Sequence, residues 1–181
     1  MNDRRYSDAI QRLRSPERIQ RGEPERVVSL CLNSIDAKSL LDIGTGSALF
    51  AEAFYKAGLS VAGVDINPEM IEAAKQVIPE GDFHLAPAES LPFGDSAFDL
   101  VFMAFLLHEV DDYVKTLTEA GRVAERRVAV LEFPKIEQPF GPPLHHRLSE
   151  QQIIDFARQA NLGNPQIHKL THLILYLWEK S

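Results

Sequence analysis

Cysteine is nearly absent from this chain. Cys31 stands alone, so neither an internal disulfide nor a thiolate metal cluster can form. It lies among Val27, Val28, Leu30, Leu32 and Ile35, which predicts a buried core thiol. Long apolar runs are missing as well. None approaches the ~18 residues of a membrane span, and the opening MNDRRYSD has no signal-type apolar segment. A cytoplasmic protein without a membrane span is the expectation. Positive charge is scarce: 19 Lys and Arg face 26 Asp and Glu, a net charge of −7. Such a chain has no general field for a polyanion, so no nucleic-acid partner is expected. His108, His145 and His146, with only scattered carboxylates nearby, match no recognised ligand spacing, so no metal is expected either. The deficit of positive charge is uneven, because seven arginines crowd into the first 26 residues beside five acids. That basic segment is either a solvated helical face or an arm that touches an anionic substrate.

What is present is organised around Leu40-Leu41-Asp42-Ile43-Gly44-Thr45-Gly46. An apolar run closes on an acid, two glycines follow at spacing two, and a helical pattern begins at once (about 47–57). This reads as a buried parallel strand turning sharply into a helix. The glycines permit a tight turn and close approach of backbone to ligand. A dinucleotide fingerprint would need a third glycine where Leu49 stands, and Asp42 would set a carboxylate against a pyrophosphate. A cationic, phosphate-free ligand suits the turn better.

The other elements follow in order. Residues 1–36 read as helical, with Tyr6, Ile10 and Leu13 on one face, a helix start at Ser15-Pro16-Glu17, and a second segment from Glu25 to Ile35. This part is expected to cap the glycine turn, or else to pack on the sheet edge. A second strand, Ser60 to Asp65, ends in an acid 21 residues after Gly44, where a carboxylate can accept the hydroxyls of a ribose. A helix starts at Asn67-Pro68-Glu69, then come strands at 82–85 and 98–105, a helix across 113–124, and a strand at 127–132. A proline-rich loop from Phe133 to Leu148 leads to a helix over 150–160 with Ser149 as N-cap, and a hairpin (166–170, 173–178) closes the chain. At 181 residues the simplest reading is one domain, a helical cap (1–36) on a core (37–181). Alternating strands and helices with a closing hairpin predict an α/β, doubly wound, seven-stranded, mostly parallel sheet.

The sequence of strand–DIGTG–helix, strand–VDINPEMIEAAK, the loop APAESLPF, strand–FDLVFMAFLLHEV and strand–VLEF resembles the class I S-adenosylmethionine-dependent methyltransferases. Within them it is similar to the small-molecule, type-11-like group that includes quinone-biosynthesis methyltransferases. The likeness runs from about residue 38 to the C-terminus. It implies a Rossmann-like sheet whose last strand is antiparallel, S-adenosyl-L-methionine as cofactor and S-adenosyl-L-homocysteine as product. It further implies that Gly44 and Gly46 run under the methionine moiety and that Asp42 orients its ammonium end, which the carbonyl near Ala104 also meets. Asp65 would hold the ribose hydroxyls, and Ile66 would lie on the adenine face. The Asp that the family commonly carries after the third strand is Pro87 here, which leaves the Ala88 N–H for adenine N1 and Glu89 for N6.

Methyl transfer is an in-line displacement at a sulfonium carbon, so the protein mainly aligns donor and acceptor and excludes water. No Asn/Asp-Pro-Pro-aromatic stretch follows the fourth strand and no cysteine lies near it, which leaves a small organic acceptor. His108, at the mouth of the expected pocket, is either a base oriented by Glu109 or a pocket wall, and the activated donor favours the wall. His146 and Arg147, on the stiff Pro142-Pro143 loop, are expected to bind an anionic group of the acceptor. A monomer or homodimer is expected. Two other functions fit parts of the chain: a non-catalytic adenosylmethionine-binding module, and a nicotinamide-dependent oxidoreductase.

Overall fold

The computed structural model describes residues 13–180, so Tyr6 and Ile10 of the expected first helical face lie outside the described residues. The elements are α1 (Pro16–Gly22), α2 (Pro24–Leu32), β1 (Ser39–Ile43), α3 (Leu49–Lys56), β2 (Ser60–Asp65), α4 (Pro68–Val77) and β3 (Asp82–Leu85). They continue with β4 (Phe98–Ala104), α5 (Tyr113–Val123), β5 (Ala124–Glu132), a 3₁₀ turn (Leu144–His146), α6 (Glu150–Gln159), β6 (Gln166–Lys169) and β7 (Ile174–Glu179).

The strands form one seven-stranded sheet in the order β3-β2-β1-β4-β5-β7-β6. The β3–β2, β2–β1, β1–β4 and β4–β5 pairs are parallel, whereas β7 runs antiparallel to both β5 and β6. The order reverses between β1 and β4. In an open α/β sheet the crevice beyond the carboxyl ends of such strands is where ligands bind.

Both faces of the sheet are covered, which is why its strands are apolar almost throughout. On one face Leu41, Ile43, Val101 and Trp178 pack with Leu117 of α5 and Ile153 of α6. On the other Leu40, Phe102 and Leu175 pack with Val27 and Cys31 of α2, Phe54 of α3 and Ile71 of α4. Cys31 is fully buried, and burial pushes its thiol far up, as expected of an inert core residue.

The helices begin where side chains cap them. Ser15 accepts from the Arg18 N–H, Asn67 from Glu69, Asp112 from Lys115, and Ser149 forms a full capping box with Gln152. Below the sheet Asp99 ties the starts of β1 and β4 together: its carboxylate accepts from the backbone N–H groups of Lys38 and Ser39, and Arg126 pairs with it at 3.0 Å.

Several boundaries differ from the sequence reading. The first core helix starts at Leu49 rather than near 47, because Gly44, Gly46 and Ala48 all take left-handed φ and delay the helical path. β5 begins at Ala124 and α5 ends at Val123, since a register shift between Phe98 and Leu100 lets Ala124 pair with Phe98. The second N-terminal helix covers Pro24–Leu32 only. The two N-terminal helices also do different jobs. α2 is a layer on the sheet, while the stretch before α1 reaches the glycine turn: Arg14 donates to the Ser47 carbonyl at 2.7 Å and pairs with Glu52. Among the described residues no helix is long and apolar enough to cross a membrane.

Candidate active site

The turn after β1 hangs on the end of β2. The N–H groups of Gly44 and Thr45 both donate to the Val64 carbonyl, at 2.8 and 2.9 Å. Asp65, the last residue of β2, accepts the Gly46 N–H on one carboxylate oxygen and the Asn67 N–H on the other, each at 2.9 Å. Glycine is required at 44, where φ is +70° and a Cβ would come within 2.9 Å of the Leu106 side chain. At Gly46 (φ +52°) the situation is opposite: the nearest atom to an added Cβ is the Gly44 carbonyl oxygen at 4.0 Å, so the backbone there borders open space.

Asp42 lies beside this space with 3 % exposure, accepting the Thr45 hydroxyl at 2.9 Å. Burial pushes its carboxyl up to about 7; the Thr45 hydrogen bond works against this, and the nearby negative charge of Asp65 adds to it. A buried carboxyl with a raised pKa in a cleft marks a functional site, and in its ionised form it pairs with a cation. The cleft encloses about 70 Å³ and is bordered by Asp42, Gly44, Gly46, Ser47, Ala104 and Phe105. Beyond it the strand ends are open and apolar, with Ile66 75 % and Leu85 60 % exposed. A cationic head, a hydroxylated middle and a flat apolar end fit this succession of Asp42, Asp65 and Ile66. Those are the parts of S-adenosylmethionine.

A second cavity, of about 420 Å³, lies between α1, the ends of β4 and β5, and the 140–142 loop. Arg18, Arg21, Phe105, His108, Phe133 and Phe140 border it. Phe105 and Arg18 border both spaces, so the two compartments meet across the Phe105 ring. Phe105 follows β4 directly with φ +57°, a strained conformation for a bulky residue, held by its N–H to the Leu131 carbonyl at 2.9 Å. Its ring packs on Phe133, with centroids 4.9 Å apart.

His108 lies on the border of this cavity with its side chain only 6 % exposed. Its Nδ1 is 2.8 Å from Oε2 and 3.0 Å from Oε1 of Glu132, the buried last residue of β5, and its backbone N–H reaches the same carboxylate at 3.3 Å. The Nδ1–H therefore donates to Glu132, and Nε2 carries the lone pair in the neutral ring. Burial disfavours the charged ring, but the hydrogen bond and charge of Glu132, joined by Glu109, outweigh it and raise the His108 pKa above the ordinary histidine value; Arg147 works the other way. The orienting carboxylate is thus Glu132 and not Glu109, whose largely exposed side chain stands 3.7 Å from Nε2.

Arg147 corrects another expectation. It is 3 % exposed and turned inwards, donating to the carbonyls of Pro134, Ile136, Phe140 and Pro142 and to Gln138. The buried guanidinium serves the loop carbonyls and is not presented to an acceptor anion. It shapes the cavity instead by fixing Phe140 and Pro142. Arg147→Met is expected to cost roughly 2–4 kcal/mol, because buried carbonyls lose their donor. Thermal denaturation reads this, and an unchanged melting point would remove the staple. His146 is exposed on the 3₁₀ turn and borders a more polar hollow, of about 570 Å³, that also touches His108 and Glu109.

Asp42, Gly44, Gly46 and Ala104 are brought together in one cleft, with Asp65 hydrogen-bonded to it. Ile66 follows on the open strand end. Ala88, buried, and Glu89, half-buried, sit past β3 and do not border the enclosed part. Glu132, Phe105, Arg18 and Arg21 were not singled out from the sequence. Glu132 carried a signal all the same: like Asp65, it is an acid that closes an apolar strand.

A model of the methyltransferase domain matches residues 41–130, and the chain belongs to the class I S-adenosylmethionine-dependent methyltransferases. It is 32 % identical over 119 residues to a demethylmenaquinone methyltransferase of Renibacterium salmoninarum, covering 65 % of this chain and 49 % of that protein. To the ubiquinone/menaquinone biosynthesis C-methyltransferase UbiE of a Geobacter species it is 32 % identical over 121 residues, covering 61 % and 52 %. The chain thus spans about half the length of these curated relatives. A solved structure of a SAM-dependent methyltransferase from Aquifex aeolicus superposes with a TM-score of 0.82 over 96 % of this chain and 97 % of that one, at 23 % identity, a likeness of fold.

Proposed function

We propose that this protein transfers a methyl group from S-adenosylmethionine to a small organic acceptor. The observation that carries the reading is the pair of compartments meeting at Phe105, one walled by the glycine turn and buried Asp42, the other by His108 and aromatic rings. The cofactor supplies an activated methyl: its carbon–sulfur bond breaks with the electron pair left on sulfur while the acceptor's lone pair forms the new bond.

The chain's own residues do the rest. Asp42 pairs with the ammonium end over the Gly44–Gly46 backbone, and the carbonyl near Ala104 meets the same group. Asp65 takes the ribose hydroxyls on lone pairs its two backbone partners leave free. Ile66 covers the adenine, with Ala88 and Glu89 at its edge. Phe105 and Phe133 keep water from the junction. His108 accepts the proton of a protic acceptor at Nε2, held in that tautomer by Glu132. The quinone-type acceptors named for the relatives belong to the same small-molecule class. A cytoplasmic setting accompanies the reading, supported by the single free, buried thiol.

Calorimetric titration with adenosylmethionine, adenosylhomocysteine and NAD tests it. Adenosylmethionine and adenosylhomocysteine are expected to bind at one site and NAD not at all. Asp65→Ala is expected to weaken adenosylmethionine binding by roughly 1–3 kcal/mol, the cost of poorly paired hydroxyls. NAD binding in place of the sulfonium ligand would overturn the assignment, and an unchanged dissociation constant in the variant would remove Asp65 from the site.

A further inference from the structure

The cavity on the far side of Phe105 has a composition at odds with the rest of the molecule. A chain of net charge −7 sets two arginines, Arg18 and Arg21, on its border, while Glu109 is the only acid among the described residues around it. Both guanidiniums lie on aromatic faces. The Arg21 Cζ is 4.6 Å from the Phe140 ring centroid and the Arg18 Cζ is 5.7 Å from that of Phe105. On the Phe140 face the Arg21 guanidinium keeps its in-plane N–H edge for a ligand, the edge that meets a carboxylate two-pronged. Arg21 donates its Nε–H to the Glu17 carbonyl at 3.0 Å, and its two Nη groups have no partner among the described residues.

The remaining wall is aromatic. Phe105 and Phe133 are tilted 32° to each other, and His108 stands edge-on to Phe133 with centroids 6.4 Å apart. The far side is held at close quarters: Gly141 lies so near Phe133 that an added Cβ would come within 2.8 Å of the ring. Arg147 fixes that loop from behind, its Cζ 5.2 Å from the Phe133 centroid. A cavity bordered by three phenylalanines, two arginines and a hydrogen-bonding imidazole recognises a flat ring bearing an anion. Its volume of about 420 Å³ lies within the range of small-molecule sites.

We infer that the acceptor is an aromatic carboxylate, its anion held by Arg21 and its ring lying against the phenylalanine side chains that border the cavity. This identification rests on the methyltransferase reading above only for the word acceptor; the binding preference stands by itself. The ring substituent opposite the carboxylate shares the cavity with His108, which also borders it. Such a molecule differs from the quinone-type acceptors named for the relatives in needing its negative charge to bind.

The test uses the full chain and three probes of one size: 4-hydroxybenzoate, its neutral amide 4-hydroxybenzamide, and the non-aromatic 4-hydroxycyclohexanecarboxylate. Each is titrated calorimetrically with and without saturating adenosylhomocysteine. 4-Hydroxybenzoate is expected to bind at least tenfold tighter than either analogue and to weaken as salt is raised. Arg21→Met is expected to abolish the preference for acid over amide while leaving adenosylhomocysteine affinity unchanged, which also shows that the variant is folded. Equal binding of acid and amide by the native chain, or a preference that survives Arg21→Met, overturns the inference, as does failure of all three probes to bind. If adenosylhomocysteine does not bind, the donor reading falls, and the titrations without it still decide this one.

Discussion

Asp42→Asn is expected to make the free protein more stable and its complex with adenosylmethionine weaker. The folded-state pKa of Asp42, about 7, lies above the ordinary carboxylate value of 3.8. Between these two values the folded chain keeps a proton that the unfolded chain has lost. Stability therefore falls as pH rises from about 4 to about 7, and the loss is complete above that. An amide cannot ionise, and it still offers Thr45 an oxygen. At pH 8 the variant is expected to gain on the order of 3 kcal/mol, or roughly 5–10 °C in melting temperature, with little gain at pH 4. Its affinity for the sulfonium ligand should drop tenfold or more, because the ammonium loses its buried anion. Calorimetry at the two pH values and a ligand titration check both halves. A variant less stable than wild type at pH 8 would show that Asp42 is already charged and paired in the free protein.

His108→Gln carries the second large effect. With a proton-accepting Nε2 gone, turnover with a protic acceptor is expected to fall about 10²-fold or more, while adenosylhomocysteine affinity stays level. The wild-type rate should decline as pH drops through the His108 pKa, and that limb should lie above the ordinary 6.5 because Glu132 raises it. Glu132→Gln should move the limb down in pH, since burial then acts on the ring without its counter-charge. That shift separates a positioning carboxylate from a merely structural one. A raised KM with an unaltered pH profile would make His108 a wall of the cavity and nothing more.

The two halves of the proposed site were unequally legible in the sequence. The donor half is local: Asp42, Gly44 and Gly46 fall within five residues, and Asp65 ends the next strand, so periodicity and glycine spacing reveal them. The acceptor half is assembled from distant parts. Arg21 of α1, Phe105 after β4 and Phe140 of the loop meet only because β4 and β5 are neighbours and α1 folds over their ends, and Glu132 of β5 reaches the same cavity through His108. No spacing encodes that meeting. Arg147 shows the same limit. A basic residue on a proline-rich loop looks like a ligand-binding group, yet a loop with so few internal hydrogen bonds needs a donor for its carbonyls, and Arg147 is that donor. Ala48 is a subtler case. It occupies the third glycine position of the motif and takes the left-handed conformation glycine would have taken, at a cost of about 1–2 kcal/mol. Its buried methyl packs against the second core and offsets part of that cost.

A crystal structure with adenosylhomocysteine puts the central claim at greatest risk. The homocysteine part should lie over Gly44 and Gly46 with its ammonium on Asp42, and the ribose hydroxyls should meet Asp65. Ile66 should lose most of its exposure to the adenine ring, and the sulfur should face Phe105 with the arginine-lined cavity beyond it. Ligand bound elsewhere, or a ligand in the turn whose sulfur faces away from Phe105, would contradict the account.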